Sequence, residues 1–478
     1  MIGILLAAGR GTRMKSLRPK VLFEVNDEPL CFAPFKALLD LCERVVVVVG
    51  YHGGDVREAL MQRASEVVSM SLLESKVVFV TQEPPSGTGD AVKVALESIK
   101  RQGIRGDETL VLNGDLPLIQ APTLRRFSEA ARKQGLHAAC LSQVTRNPKG
   151  LGRILRAETG IMRGIREEKD ASPDERRIQE INGGVYFFET DYLHSSAADL
   201  KKDNKQGEFY LTDLLAASPG RGIKVEALLT RSKWDLLGVN TTFELAGVRR
   251  IAQMRLQRKL CEEYGVEFAD TDSTWISARA RFHGSCRLGP GVVVKGPSDI
   301  REGVEIEGNS LIDNCQLDEG AKILWGSVLR SSKVGSQASV GPMAHLRPET
   351  DVGAKAKVGN FVELKNTKLG AGAKAAHLSY LGDAEVGEQS NIGCGTITCN
   401  YDGFGKHRTI IGKGVFVGSD TQLLAPISVG DGAYIGSGTT VTADVPAGAL
   451  ALSRTRMLVK EGYAKRLSEK LAARKERK

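Results

Sequence analysis

An aliphatic residue returns at every sixth position through the second half of this chain. Val334, Val340, Leu346, Val352, Val358 and Leu364 keep that spacing, and Ile411, Val417, Leu423, Val429, Ile435 and Val441 repeat it. Many are followed by glycine. A strand alternates with period two and a helix turns every ~3.6 residues, so neither alone yields a period of six. Each aliphatic residue must instead point into a prism while its small neighbour lets the chain turn, the pattern of a parallel β-helix. Chance alternation or a β-sandwich would not hold register over so many repeats. From 266 to 330 the period reads as degenerate, as expected for the first coils of a solenoid. Two places break it: the step of five from Leu364 to Leu369, and the loop CNYDGFGKHRT at 399–409.

The first half is of another kind. IGILLAA, VVVVVG, VVFVTQ and TLVLNGD read as buried parallel strands. APFKALLDL, GDAVKVALESI and PTLRRFSEAARKQG read as helices between them. This alternation predicts an α/β domain with its ligand at the carboxyl ends of the strands. Residues 241–264 read as one long helix capped by Thr241 or Thr242. The expected organisation is an α/β domain over 1–230, a linker with the long helix over 231–265, a β-helix over 266–450 and a basic tail over 451–478.

The chain has 478 residues and a formal net charge of +9. Such a balance suits polyanionic small molecules: nucleotides, sugar phosphates or coenzyme A. Much of the excess lies in the tail YAKRLSEKLAARKERK, with no aromatic-studded basic face, which argues against nucleic acid. Eight cysteines are scattered without a CxxC pair or zinc spacing, the usage of reduced thiols in a cytoplasmic protein. MIGILLAAG lacks a basic flank and runs into a glycine turn, so it reads as a first strand. No apolar run reaches the ~18 residues of a membrane span.

Two constellations carry chemistry. In LLAAGRGTRMKSLRPK, at 5–20, Gly9 and Gly11 allow a tight turn whose amides can hold phosphate oxygens, with Arg13 and Lys20 as counter-charges. Asp115, in LNGDLPL, offers a hard oxygen at a strand end, suited to a magnesium ion beside phosphates. In the β-helix, AAHLSYLGD puts His377 and Tyr380 into a coil that needs neither. Asn391 lies on the next coil, Asn400, Tyr401 and Lys406 in the loop, and Arg347 and Lys365 earlier. Residues one coil apart stack, which would bring Asn391 near His377. An imidazole among cations and hydrogen-bonding groups suits a phosphorylated substrate.

The amino-terminal stretch resembles the signature of sugar-1-phosphate nucleotidylyltransferases. With the hexapeptide half, the chain resembles, over nearly its whole length, the bifunctional bacterial family that joins N-acetylglucosamine-1-phosphate uridylyltransferase to glucosamine-1-phosphate N-acetyltransferase. That resemblance implies a Rossmann-like nucleotidylyltransferase domain, a linker helix and a left-handed parallel β-helix. It implies that Leu6, Ala8 and Gly9 line the nucleotide, that Arg13 and Lys20 hold phosphates, and that Gln82, Gly87 and Thr88 read uracil. Asp115 and Asn240 match the Mg²⁺ ligands, and Gly152, Glu167 and Asn182 match amino-sugar contacts; Asn113 is given no role. In the second half it implies His377 as general base, with Arg347, Lys365, Tyr380 and Asn391 on glucosamine 1-phosphate. Cys394, Asn400, Tyr401, Lys406, Ser419, Ser437 and Arg454 match the acetyl-CoA site; Cys394 and Ser437 replace a usual alanine. UTP and acetyl-CoA are the implied co-substrates, and a homotrimer the implied assembly. The rival readings are a monofunctional nucleotidylyltransferase with a β-helix used only to oligomerise, and a non-catalytic scaffold. His377, Asn400, Tyr401 and Lys406 argue against the first, and Arg13, Lys20 and Asp115 against the second.

Overall fold

The computed structural model describes residues 1–9, 11–50, 52–216, 222–454 and 457–475. The chain divides into two compact units, Met1–Arg258 and Lys259–Lys478.

The first unit is built on a sheet of nine strands among the described residues. Its central order is Val225–Leu229, Ala138–Val144, Glu180–Glu189, Glu108–Asn113, Ile2–Ala7, Arg44–Val49 and Val77–Thr81. The four strands expected from sequence pair in parallel, Ile2–Ala7 lying between Arg44–Val49 and Glu108–Asn113. Glu180–Glu189 runs antiparallel between two of its neighbours. Val45, Val46, Val47 and Val48 are wholly buried because both faces of the sheet are covered. One face packs under Phe32–Leu41 and Ala121–Lys133, the other under Thr88–Arg101, whose Ala91, Val92, Ala95 and Ile99 point inward.

The long helix runs over Thr242–Tyr264. Thr241 is its cap: the Glu244 amide donates to Thr241 Oγ1 at 3.2 Å, and the Thr241 amide donates back to Glu244 Oε2 at 3.1 Å. This reciprocal pair satisfies amides that the helix start leaves unpaired. Leu245, Val248 and Ala252 pack with Met14, Leu30, Leu118 and Val239. The first turns are therefore part of the first unit's core rather than a bare connector.

The second unit is a parallel β-helix with three strands to a coil. Trp275–Ile276, Arg281–Phe282 and Arg287–Leu288 pair in parallel with Val293–Lys295, Asp299–Ile300 and Glu305–Ile306, and so onward. All twelve aliphatic positions of the repeat are buried, none more than 4% exposed. The region from 266 to 330 is regular rather than degenerate. Ile276, Phe282, Leu288, Val294, Ile300, Ile306 and Ile312 point inward at six-residue steps. The glycine cue is mostly missing there: Gly289 follows Leu288, but Lys295, Arg301, Glu307 and Asp313 follow the later inward residues. The step of five also recurs, at Ile312 to Leu317, Val334 after Leu329, and Val386 after Leu381. Of the helix at Tyr463–Lys475 every residue is exposed. No helix among the described residues is long and apolar enough to cross a membrane.

Candidate functional site

In the first unit a cleft of about 380 Å³ opens at the carboxyl ends of Ile2–Ala7 and Glu108–Asn113. Leu6, Ala8, Gly9, Lys20, Gln82, Gly87, Thr88 and Asp115 all line it. These residues are far apart in sequence and meet because parallel strands end on one edge. The Gly114 amide bonds to Leu6 O at 2.9 Å, tying the two strand ends together. Gly11 has φ of +61°, and a Cβ there would lie 2.4 Å from Lys20 Cβ. Only glycine lets the loop fold tightly enough to bring Lys20 over the cleft. Gly87, at φ +106°, leaves no room for a Cβ beside Phe209 O.

Lys20 Nζ donates to Asp115 Oδ2 at 2.6 Å and to Asn240 Oδ1 at 3.3 Å, and Arg13 Nη2 donates to the same amide oxygen at 2.8 Å. Two hard oxygens, from Asp115 and Asn240, thus converge on positive charge. That donor set fits a magnesium ion, which takes few protein ligands and completes its shell with phosphate and water. Among the described residues no group of three or more His, Cys, Asp and Glu side chains is arranged to hold a metal by itself.

The amino-sugar candidates also meet. A Cβ on Gly152 would lie 3.4 Å from both Asn182 Cβ and Glu167 Oε1. Asn182 donates to Tyr186 Oη at 2.7 Å and Thr212 Oγ1 to Glu167 Oε1 at 3.1 Å. Burial pushes the Glu167 carboxyl above its ordinary value, against the hydrogen bond from Thr212. Beside them Arg153, 1% exposed, bonds to Glu168 Oε2 at 2.7 Å and to the carbonyl of Leu151. It fixes the strap that carries Gly152. Asn113 and Glu208, without assigned roles from sequence, also line the cleft. Asn113 sits at a strand end, where position alone would have nominated it.

In the second unit His377 is exposed at a corner of the β-helix. Its Nδ1 lies 2.8 Å from Asn360 Oδ1, one coil back. With Nδ1 as donor to that oxygen, Nε2 keeps its lone pair, as a base requires. Asn360 was missed from sequence; the offset of 17 residues between coils would have found it. Asn391 does not stack on His377. It pairs with Lys374, and the same offset of 17 brings Cys394 to the position after His377 along the corner. The Asp420 amide bonds to Cys394 O and the Gly438 amide to Ser419 O, so Cys394, Ser419 and Ser437 follow one another up that corner.

Around the next corner Tyr380 pairs with Glu363, and its hydroxyl and Asn400 Nδ2 lie over Gly382, 2.4 and 2.7 Å from where a Cβ would stand. Asp383, unassigned from sequence, ties the group together: it accepts from Asn400 at 2.5 Å and pairs with Lys365 at 3.6 Å. Arg347 pairs with Glu363 at 2.9 Å. Lys365 and Lys406 face each other. The contact with Lys406 holds the Lys365 proton, with Asp383 adding to it, and drives the Lys406 ammonium below its ordinary value. Lys406 also lies over the Tyr401 ring at 5.9 Å. Asp402, which accepts from the amides of Phe404 and Gly405 and from His407, shapes the loop that carries both. Arg454 is exposed beyond the last coil.

Known proteins align with this division. Residues 3–179 match the MobA-like NTP transferase domain, and residues 408–443 the bacterial transferase hexapeptide repeats. The chain is 42% identical to the bifunctional protein GlmU of Pelobacter propionicus over 98% of both chains. It is 40% identical to that of Heliobacterium modesticaldum over 96% of this chain and 97% of the relative. For Clostridioides difficile the figures are 38% over 98% of each. The chain belongs to the family of bifunctional GlmU proteins.

Proposed function

We propose that the chain makes a UDP-activated amino sugar in two steps at two sites: acetyl transfer from acetyl-CoA to glucosamine 1-phosphate, then uridylyl transfer from UTP to N-acetylglucosamine 1-phosphate. The observation that supports the reading is that each half carries its own group of candidate residues. Those at residues 6–182 with Asn240 lie in the first unit, and those at residues 347–437 lie on the coils and corners of the second.

In the first unit the sugar-phosphate oxygen attacks the α-phosphorus of UTP, and pyrophosphate leaves as the P–O bond to it breaks. Arg13 and Lys20 offset the charge that gathers on the transferring group. Gly152, Glu167 and Asn182 orient the amino sugar. Asp115 and Asn240 would hold Mg²⁺, which supplies charge neutralisation and polarises the phosphate oxygens.

In the second unit His377 Nε2 takes a proton as the amine attacks the thioester carbonyl. The new N–C bond forms, the C–S bond breaks, and the thiolate of coenzyme A leaves to be protonated. Arg347 and Lys365 bind the sugar phosphate, each held in place by a carboxylate, with Tyr380 beside them, and Asn391 is a further contact to the same substrate. Cys394, Asn400, Tyr401, Lys406, Ser419, Ser437 and Arg454 take acetyl-CoA, and a trimer in the cytoplasm is the working form. The test is the His377→Ala variant assayed for both reactions. Acetyl transfer falls by about 10²-fold or more, the scale of general-base loss, and uridylyl transfer persists. Equal loss of both, or of neither, rejects the assignment.

A further inference from the structure

Gln82 lines the cleft yet is only 3% exposed. Both hydrogens of its side-chain amide are committed inside the protein: Nε2 donates to Gly87 O at 3.0 Å and to Asp90 Oδ2 at 2.7 Å. Both partners act as acceptors. Turning the amide over would set its oxygen against a carbonyl and a carboxylate and leave two oxygens facing each other without a proton. The orientation is therefore dictated by the network. Oε1 is what Gln82 has left to offer a ligand, and among the described residues it accepts no hydrogen bond. A glutamine that could in principle donate and accept is here an acceptor alone.

We propose that Asp90 is a specificity-determining positioning residue: it locks Gln82 as an acceptor and so selects uracil over cytosine. This rests on the uridylyl-transfer reading above. The two bases differ along one edge. Uracil presents an N3–H donor, whereas cytosine presents a bare N3 lone pair. An acceptor fixed opposite N3 bonds to the first and repels the second. Fixed polar groups discriminate more strongly than apolar fit, because the wrong ligand leaves them unpaired. Asp90 stands in the first turn of Thr88–Arg101, where the helix start favours negative charge. Its bond to Gln82 is the shorter of the two and is charge-assisted, so it dominates over the Gly87 carbonyl.

The test uses the full-length chain with UTP and CTP as alternative nucleotides and N-acetylglucosamine 1-phosphate as acceptor. Asp90→Asn keeps the shape but can present either an oxygen or an N–H, which releases Gln82 to turn. Asp90→Ala leaves it held by one carbonyl. In both variants the UTP:CTP ratio of kcat/KM falls about tenfold or more, through better use of CTP and not only poorer use of UTP. A calorimetric UTP:CTP ratio of Kd moves the same way. If both nucleotides lose equally and the ratios stay within about twofold, Asp90 is structural and the proposal is wrong. Should the alanine variant not fold, the isosteric asparagine variant decides. If the unmodified chain binds neither nucleotide, the uridylyl-transfer reading itself has failed, and this inference goes with it.

Discussion

Glu167 is a carboxyl that folding makes hard to ionise. Burial outweighs the Thr212 hydrogen bond and raises it from 4.5. A raised carboxyl pKa means the native state holds its proton longer than the unfolded chain. The stability this provides is complete below 4.5 and is lost as pH rises through the folded value. Glu167→Gln removes that loss. At pH above neutrality its first unit should therefore unfold at a higher temperature than the wild type, and near pH 4 the difference should vanish. Uridylyl transfer should nevertheless fall by about tenfold or more, because an amide replaces a carboxyl oxygen that receives the amino sugar. A melting midpoint that does not respond to pH in this comparison would reject the burial argument. The sequence named Glu167 but could not give its environment, and the same limit applies to other residues. Gln82 was readable as a base contact. That it can only accept depends on Asp90 and Gly87, which share a loop and helix start with it only once the chain has turned.

At the scale of the element, the β-helix was the most legible part, because an inward aliphatic every six residues is a condition on the core and survives almost any surface. What sequence lacked was the count per coil. Steps of five make some coils 17 residues rather than 18, and an error of one residue moves a side chain to the other face. Asn391 lies only 14 residues after His377, three short of that coil, so it stands beside Lys374, and the neighbours of His377 are Asn360 and Cys394. The same tight stacking provides a test. A Cβ on Gly359 would stand 1.8 Å from Ala376 O, which no side chain can tolerate. The obstructing atom is backbone and belongs to the residue before His377. Gly359→Ala must therefore displace the coil that carries the base. Acetyl transfer should drop about 10²-fold, as for a misplacement of ~1 Å in a catalytic group, with uridylyl transfer unchanged. Unaltered acetyl transfer would mean the corner gives way without moving His377.

At the scale of the whole molecule, one corner of the β-helix carries a feature that a lone prism does not need. Met343, Phe361 and Leu378 follow one another at coil spacing and are 48%, 59% and 58% exposed, and Trp325, 43% exposed, flanks them on the preceding coil, one position before Gly326. Met343, Phe361 and Leu378 have φ of +53°, +55° and +47°, a conformation that is cheap for glycine. At the same corner other coils do use glycine, at Gly326, Gly395 and Gly438. Each bulky residue in that conformation costs about 1 kcal/mol or more. Large apolar side chains held outward against that cost argue for a covered surface, and they support the proposed trimer, with a second copy of the chain as what covers them. Trp325→Glu with Met343→Glu puts charge into that stripe several residues of contour away from His377. In analytical ultracentrifugation the wild type should sediment near three times the 51.6 kDa chain mass, and the double variant at lower mass. Acetyl transfer should fall with dissociation and recover as protein concentration is raised, whereas a directly damaged site would not recover. Uridylyl transfer should not change, since every residue proposed for it lies within Met1–Arg258. Identical sedimentation of the two proteins would show that the stripe is not the contact between copies.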